Sequence, residues 1–204
     1  MGAPVENLQL GRYKVLAYNQ GAPSWAVVFP GAGYSTEAPL LWYARRAAFD
    51  AGRNVLLVTD VLDRHRDDPV AWVEERCRAV LNHLRIQDAH PLLITKSTTS
   101  LAARIAATEG LPAVWLTPLI AGQGSTVAAQ VLAGLRAGTE PRLLIGGSHD
   151  PNWDGAVAST LPNAEVLELP GADHALEVPD VAKSLDHLRR VCEAVTRFAA
   201  GRMV

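Results

Sequence analysis

The stretch "PLLITKSTTSLAARIAATEG", residues 91–110, sets the reading of the chain. Five residues suited to a buried strand run into a knot of hydroxyls around one lysine. A helix then closes on Gly110, the residue best suited to a helix end. The same unit recurs on both sides. Upstream, "SWAVVFPGAG" (24–33) is a strand ending in a glycine turn, and "STEAPLLWYARRAAFDAG" (35–52) is a helix that Thr36 can cap and Gly52 follows. "RNVLLVTD" (53–60) is a strand, and "DDPVAWVEERCRAVLNHLR" (67–85) is a helix with Val70, Val73, Cys77 and Leu84 on one face.

Downstream, "PAVWLTP" (112–118), "PRLLIGG" (141–147) and "AEVLELP" (164–170) are strands, and "STVAAQVLAGLRAG" (125–138) is a helix. A last helix is expected from about Asp180 to Ala200, with Leu185, Leu188, Cys192, Val195 and Phe198 facing the core. Before all of these, "LQLGRYKVLAYN" (8–19) alternates as an exposed antiparallel hairpin does. Strands alternating with helices predict an α/β fold. Its parallel sheet of about six strands is covered on both faces and carries the hairpin at its edge. The connections are short, so the expectation is one domain over residues 1-204 with no cap domain and an open site.

Composition narrows the function. Of 204 residues, 49% are hydrophobic and 20% charged, and the formal net charge is -2 with no basic run. Nothing suggests a nucleic-acid partner or a membrane surface held by bulk electrostatics, and no apolar run is long enough to span a bilayer. No signal peptide is expected from the N-terminal residues. Cys77 and Cys192 fit neither a metal site nor a disulfide framework. They read as small buried hydrophobes in a reducing, cytoplasmic setting.

In such sheets, sites form at the carboxyl ends of the strands. Those ends carry Gly31-Ala32-Gly33-Tyr34, Thr59-Asp60, Lys96-Ser97-Thr98-Thr99, Thr117-Pro118, Ser148-His149-Asp150 and Asp173-His174. The order serine, aspartate, histidine, after a central, the next-to-last and the last strand, is that of a nucleophile, an acid and a base. A serine hydroxyl attacks well only if a base takes its proton. A carboxylate behind the histidine fixes the tautomer and steadies the imidazolium. The backbone amides of Ala32 and Thr98 stand where donors to an oxyanion are wanted.

Each residue has a plainer alternative. Ser97 could be a helix N-cap, although Thr98, Thr99 and Ser100 compete for that role. His149 is the rival base, Asp154 the rival acid, and Asp173 a turn residue. His83 and His187 lie within helices and read as surface, while His65 and His90 fall in loops. Lys96 either tunes the pocket or reaches solvent along its stem. Gly33, Tyr34, Thr117, His149 and Trp153 either line a substrate pocket or pack its rim. The polar loop "TDVLDRHRDDP" (59–69) either shapes the mouth of the site or is solvated surface. The glycine turn lacks the G-x-G-x-x-G spacing of a dinucleotide site, so no cofactor and no metal are expected.

The stretches "VVFPGAGYSTEAPLLWYARRA", "LLITKSTTSLAARIAA", "VWLTPLI", "LLIGGSHDPNWDG" and "LELPGADHALEVPD" resemble the small, lidless α/β-hydrolases, the dienelactone hydrolase-like and short bacterial serine esterase group. The resemblance implies Ser97 as nucleophile, Asp150 in a "GG-x-x-D-P" turn as acid, and His174 in "GADH" as base. It also implies that "PGAG" plays the part of an "HGAG" oxyanion turn, with Pro30 in place of the histidine. The implied function is a cofactor-free serine hydrolase, a monomer or homodimer, cleaving a small ester, thioester or lactone. The alternatives are a cyclase, acyltransferase or lyase on the same residues, or a binding protein with a decayed site. Two departures stand out: Pro30, and Thr95 and Thr99 where the nucleophile turn G-x-S-x-G has glycines.

Overall fold

The computed structural model describes residues 5–63, 68–86, 91–122 and 124–202. Arg64, His65, His90 and the first four residues lie outside the described residues. Eight strands form one sheet in the order β1-β2-β4-β3-β5-β6-β7-β8. β1 (Val5–Leu10) and β2 (Tyr13–Tyr18) make the antiparallel hairpin, and β2 pairs antiparallel with β4 (Asn54–Val58). The other five strands, β3 (Trp25–Val28), β5 (Leu92–Lys96), β6 (Ala113–Leu116), β7 (Arg142–Gly147) and β8 (Ala164–Leu169), continue from β4 in parallel. Six parallel strands and an edge hairpin are what the sequence predicts.

Strand side chains alternate between two apolar layers. Val27, Leu56, Leu93, Trp115 and Leu144 point into one, against α2 (Pro69–Ile86), α3 (Ala103–Glu109) and α4 (Thr126–Ala137). Val28, Leu57, Ile94, Leu116 and Ile145 point into the other, against α1 (Pro39–Asp50) and α6 (Val181–Ala199). A short α5 (Gly155–Ala158) precedes β8. From β3 the chain passes through α1 to β4 on one side. It then returns through α2, on the opposite face, to β5 on the other side. The strand order therefore reverses between β3 and β5, and a crevice opens at the carboxyl ends of these two strands.

Local chemistry sets most of the helix ends. Ser125 accepts from the Ala128 amide at 3.2 Å, and Asp180 accepts from Ala182 at 2.9 Å, so both start their helices as N-caps. Gly110 closes α3 at φ +63, a conformation that costs a side-chain-bearing residue about 1 kcal/mol or more.

Some expectations about the helices need correction. α1 begins at Pro39 with Ala38 as a cap that offers no side-chain bond, and Thr36 is buried outside the helix. Proline's fixed φ starts the turn instead. The buried stripe of α6 is His187, Val191, Ala194, Val195 and Phe198. Leu188 packs against the core as expected, but Leu185 is 61% exposed, Cys192 is only half-buried, and His187 belongs to the interior rather than the surface. Cys77 is buried, and burial pushes its thiol up to about 12, which leaves it inert. Among the described residues, no helix is long and apolar enough to cross a membrane.

Candidate active site

Ser97 follows β5, near the middle of the sheet, and its backbone has φ +56. This left-handed conformation turns the chain sharply from strand into a 3-10 segment, Ser97–Ala102, that leads into α3. The flanking glycines are replaced by a bonded threonine. Thr99 Oγ1 accepts from the Lys96 amide at 3.0 Å and donates to the Lys96 carbonyl at 3.0 Å. Ser100 Oγ donates to the Ser97 carbonyl at 2.6 Å and accepts from the Leu119 amide at 3.2 Å. Thr99 is fully buried, so the β-branched side chain fits the crossing of strand and helix and closes the turn by its own hydroxyl. Thr95 gains no such bond. Its hydroxyl is buried without a hydrogen-bond partner among the described residues, at a cost of about 1–3 kcal/mol.

Asp150 and His174 reach the serine from beyond β6, after β7 and β8. Gly146 and Gly147 end β7 because nothing larger fits. A Cβ on Gly146 would lie 2.0 Å from the Trp153 ring, and one on Gly147 would lie 2.2 Å from the Ala172 carbonyl oxygen. That clearance lets the loop after β8 fold against the end of β7, where the His149 amide donates to Ala172 at 2.9 Å and Gly171 donates to Ser148 Oγ at 2.8 Å. His174 is thereby held facing both partners. His174 Nδ1 lies 2.7 Å from Asp150 Oδ2, and His174 Nε2 lies 2.8 Å from Ser97 Oγ.

The environment polarises this chain of bonds. The Asp150 carboxylate is fully buried, while the imidazole remains 30% exposed. Burial alone pushes the Asp150 carboxyl up, but His174 and the Asn152 amide, 2.9 Å from Oδ1, outweigh it. The net result lies below the usual aspartate value. Asp150 is therefore a carboxylate at neutral pH, and its charge favours a proton on the ring nitrogen that faces it. Ser97 is only 5% exposed, so its hydroxyl is recessed rather than set on an open surface.

Ala32 is buried in the turn after β3, which Gly31 and Tyr34 close by reciprocal backbone bonds of 2.9 and 3.2 Å. Thr98 directly follows Ser97. Gly33 adopts φ +71 on the exposed side of the turn. Tyr34 is half-buried, and its hydroxyl accepts from the Leu40 amide at 3.0 Å. Burial raises its pKa from the ordinary tyrosine value, with Glu177 adding to the effect against that amide bond, so the phenol stays neutral. Next to the turn, Tyr34, Leu40, Ala175, Leu176, Val178 and Leu185 line a largely apolar cleft of about 290 Å³.

Several candidates serve the scaffold. Asp154 caps α5 through the Val157 amide at 2.9 Å, and Asp173 holds its own turn through Ala175 at 2.8 Å and Glu177 at 3.0 Å. Trp153 is buried against Gly146 and donates from Nε1 to Glu168 at 2.7 Å, which makes it packing rather than an open pocket wall. The His149 side chain is exposed, and the described bonds use only its backbone. Thr117 is fully buried at φ +45. Lys96 is also buried, at 2% exposure, and does not reach solvent. The sequence sign that this turn is tied by its own side chains is the hydroxyl cluster Ser97-Thr98-Thr99-Ser100. Among the described residues, no group of three or more His, Cys, Asp or Glu could hold a metal ion.

The fold matches known structures. Est1E from Butyrivibrio proteoclasticus superimposes with a TM-score of 0.73 at 16% identity, over 96% of this chain and 97% of that one. The chain has the α/β-hydrolase fold. Two further α/β-hydrolase relatives in structure are a lidless serine hydrolase from Xanthomonas campestris and a dienelactone hydrolase from Anabaena variabilis. The first has a TM-score of 0.71 and 19% identity, covering 96% of this chain and 94% of that one. The second has a TM-score of 0.62 and 18% identity, covering 98% of each. No protein-family model matches the sequence, and no curated protein matches it. The fold is thus the lidless α/β-hydrolase fold, with a sequence far from those of its structural neighbours.

Proposed function

We propose that the protein is a serine hydrolase acting on small esters, thioesters or lactones through an acyl-enzyme. The observation that carries this reading is the continuous chain Ser97 Oγ, His174 Nε2, His174 Nδ1, Asp150 Oδ2, with links of 2.8 and 2.7 Å. Reach of this kind is the first requirement of a nucleophile and its base. The positive φ of Ser97 speaks against a decayed site, because strain of this sort persists only where the surroundings enforce it.

In the proposed reaction His174 Nε2 takes the Ser97 proton as Oγ bonds to the acyl carbon. The oxyanion that forms lies against the backbone amides of Ala32 and Thr98. The carbonyl re-forms as the bond to the leaving oxygen or sulfur breaks, and the imidazolium returns its proton to that atom. Water, deprotonated by the same imidazole, then attacks the Ser97 ester; the acyl–Oγ bond breaks, the acid leaves, and the imidazolium returns its proton to Ser97 Oγ. Asp150 keeps the ring oriented and its charge compensated throughout.

Labelling with a fluorophosphonate probe, read by intact mass beside a Ser97→Ala control, tests the nucleophile. A panel of short-chain esters, thioesters and lactones then tests the substrate class. Est1E has been seen with ferulic acid bound, which adds aromatic acyl esters to that panel. A folded protein that takes no label, or a Ser97→Ala variant with full turnover, would overturn the reading.

A further inference from the structure

Lys96 is the buried charge of this site that acyl transfer does not use. It is the last residue of β5 and is bonded directly to Ser97. An ammonium is strongly hydrated and carries three donors, so withdrawing it from water is costly unless several groups replace the water. Here the groups that replace it come from three separate strand ends. Nζ donates to Thr117 Oγ1 at 3.1 Å, after β6, and to the His174 carbonyl at 2.9 Å, in the loop after β8. It also sits 4.6 Å from the centre of the Tyr34 ring, in the turn after β3. The stem packs under the same turn, since a Cβ on Gly31 would lie 3.7 Å from Lys96 Cδ.

We propose that Lys96 is a positioning residue. Its ammonium ties the peptide of His174 to the strand that carries Ser97, and so holds Nε2 within bonding reach of Oγ. The proposal rests on the reading of Ser97 and His174 as nucleophile and base. His174 lies 77 residues from Ser97 along the chain, on a loop from another strand. Fixing the direction of the His174 carbonyl fixes the peptide plane from which the imidazole hangs. The bond to Thr117 Oγ1 anchors the same ammonium on a residue whose backbone is itself held at φ +45. The same side chain braces the Gly31–Tyr34 turn, so one cation sets base, nucleophile and candidate oxyanion turn relative to one another.

The test compares wild type, Ser97→Ala, Lys96→Met, Lys96→Arg and Thr117→Val. It reads p-nitrophenyl acetate turnover, fluorophosphonate labelling rate, and hydrogen exchange of peptides covering residues 172–178. Lys96→Met is expected to lower kcat about 100-fold, the scale of a misplacement of about 1 Å. KM should stay within about three-fold, since substrate binding is untouched. Exchange should quicken in residues 172–178 and stay unchanged in α2. Lys96→Arg keeps the charge and donors and should recover at least about ten-fold of the loss, and Thr117→Val should cost about ten-fold, with a double variant no worse than Lys96→Met alone.

Wild-type kcat and wild-type exchange in Lys96→Met overturn the proposal. So does a loss of protection spread evenly over the molecule, which marks a merely structural lysine. If Lys96→Met does not fold, Thr117→Val decides, and unchanged kcat and exchange there overturn it. If wild type proves as inert as Ser97→Ala, the hydrolase reading fails by itself. The exchange of residues 172–178 in Lys96→Met then still decides whether the lysine holds that loop.

Discussion

At the amino rim of the parallel sheet, the chain enters β4, β6 and β8 after Gly52, Gly110 and Asn163, at φ +87, +63 and +52. At the carboxyl rim Gly33 and Gly171 turn at φ +71 and +73, but the chain also leaves β5 and β6 through Ser97 and Thr117, at φ +56 and +45, and the loop after β8 holds Leu176 at +65. The polar side chains differ in the same sense. At the amino rim Arg142 donates to carbonyls at the end of α4, including Gly138 at 2.5 Å, and Arg53 donates to Ala199 at the end of α6 at 2.8 Å. At the carboxyl rim, polar side chains bond one another across strands. One rim turns cheaply and seals helix ends. The other spends free energy on residues that prefer to be elsewhere, and it is the rim that carries the candidate chemistry.

The largest way to break this contrast is Ser97→Ala. Loss of turnover by about 10⁵–10⁶ and of all probe labelling is expected, with the fold intact by circular dichroism. Asp150→Asn comes next, with kcat lower by about 10⁴ because the ring loses its tautomer and its counter-charge; steady-state kinetics on the same ester reads it. The contrast is sharpened by two opposed substitutions. Gly110→Ala should destabilise by about 1 kcal/mol in urea unfolding with kcat unchanged, whereas Ser97→Gly should stabilise by about 1 kcal/mol while abolishing activity. Equal behaviour of the two rims would remove the distinction.

The smallest effect expected is on acid stability. The Asp150 carboxyl is held below its ordinary value in the folded state, so the unfolded chain takes up this proton first as pH falls. The stability it lends is present above about pH 4 and is lost as pH drops through the folded value. Wild type should therefore lose more of its thermal midpoint than Asp150→Asn between about pH 5 and pH 2.

Much of this was legible in residues 24–180. Glycine at helix ends, apolar runs of strand length and the spacing of Ser97, Asp150 and His174 along the chain all carry local signals. The misses share a physical cause, because each depends on what lies opposite in space. Leu185 continues the stripe of Leu188 and Cys192 by periodicity, yet the first turns of α6 bury little, and Leu185 stays exposed. Lys96 reads as a solvated side chain in isolation, and only the ends of β3, β6 and β8 make a buried ammonium tenable. Thr99 stands out in the sequence only as a departure from glycine, and its fit rests on its hydroxyl bonding both backbone groups of Lys96.

Among the described residues β8 has a sheet neighbour on one side only, and His174 hangs just beyond it. Ser97, by contrast, directly follows β5, a strand flanked on both sides. Edge strands open more readily than central ones, so under the proposed function fraying of β8 alone would carry His174 away from a Ser97 still in place. Catalytic competence would then be lost through a local opening event before the rest of the sheet melts. Residual activity after brief heating should fall at a lower temperature than the circular-dichroism transition, and coincidence of the two curves would count against it. A disulfide or ligand that pins β8 to β7 would extend working lifetime without altering the global melting point.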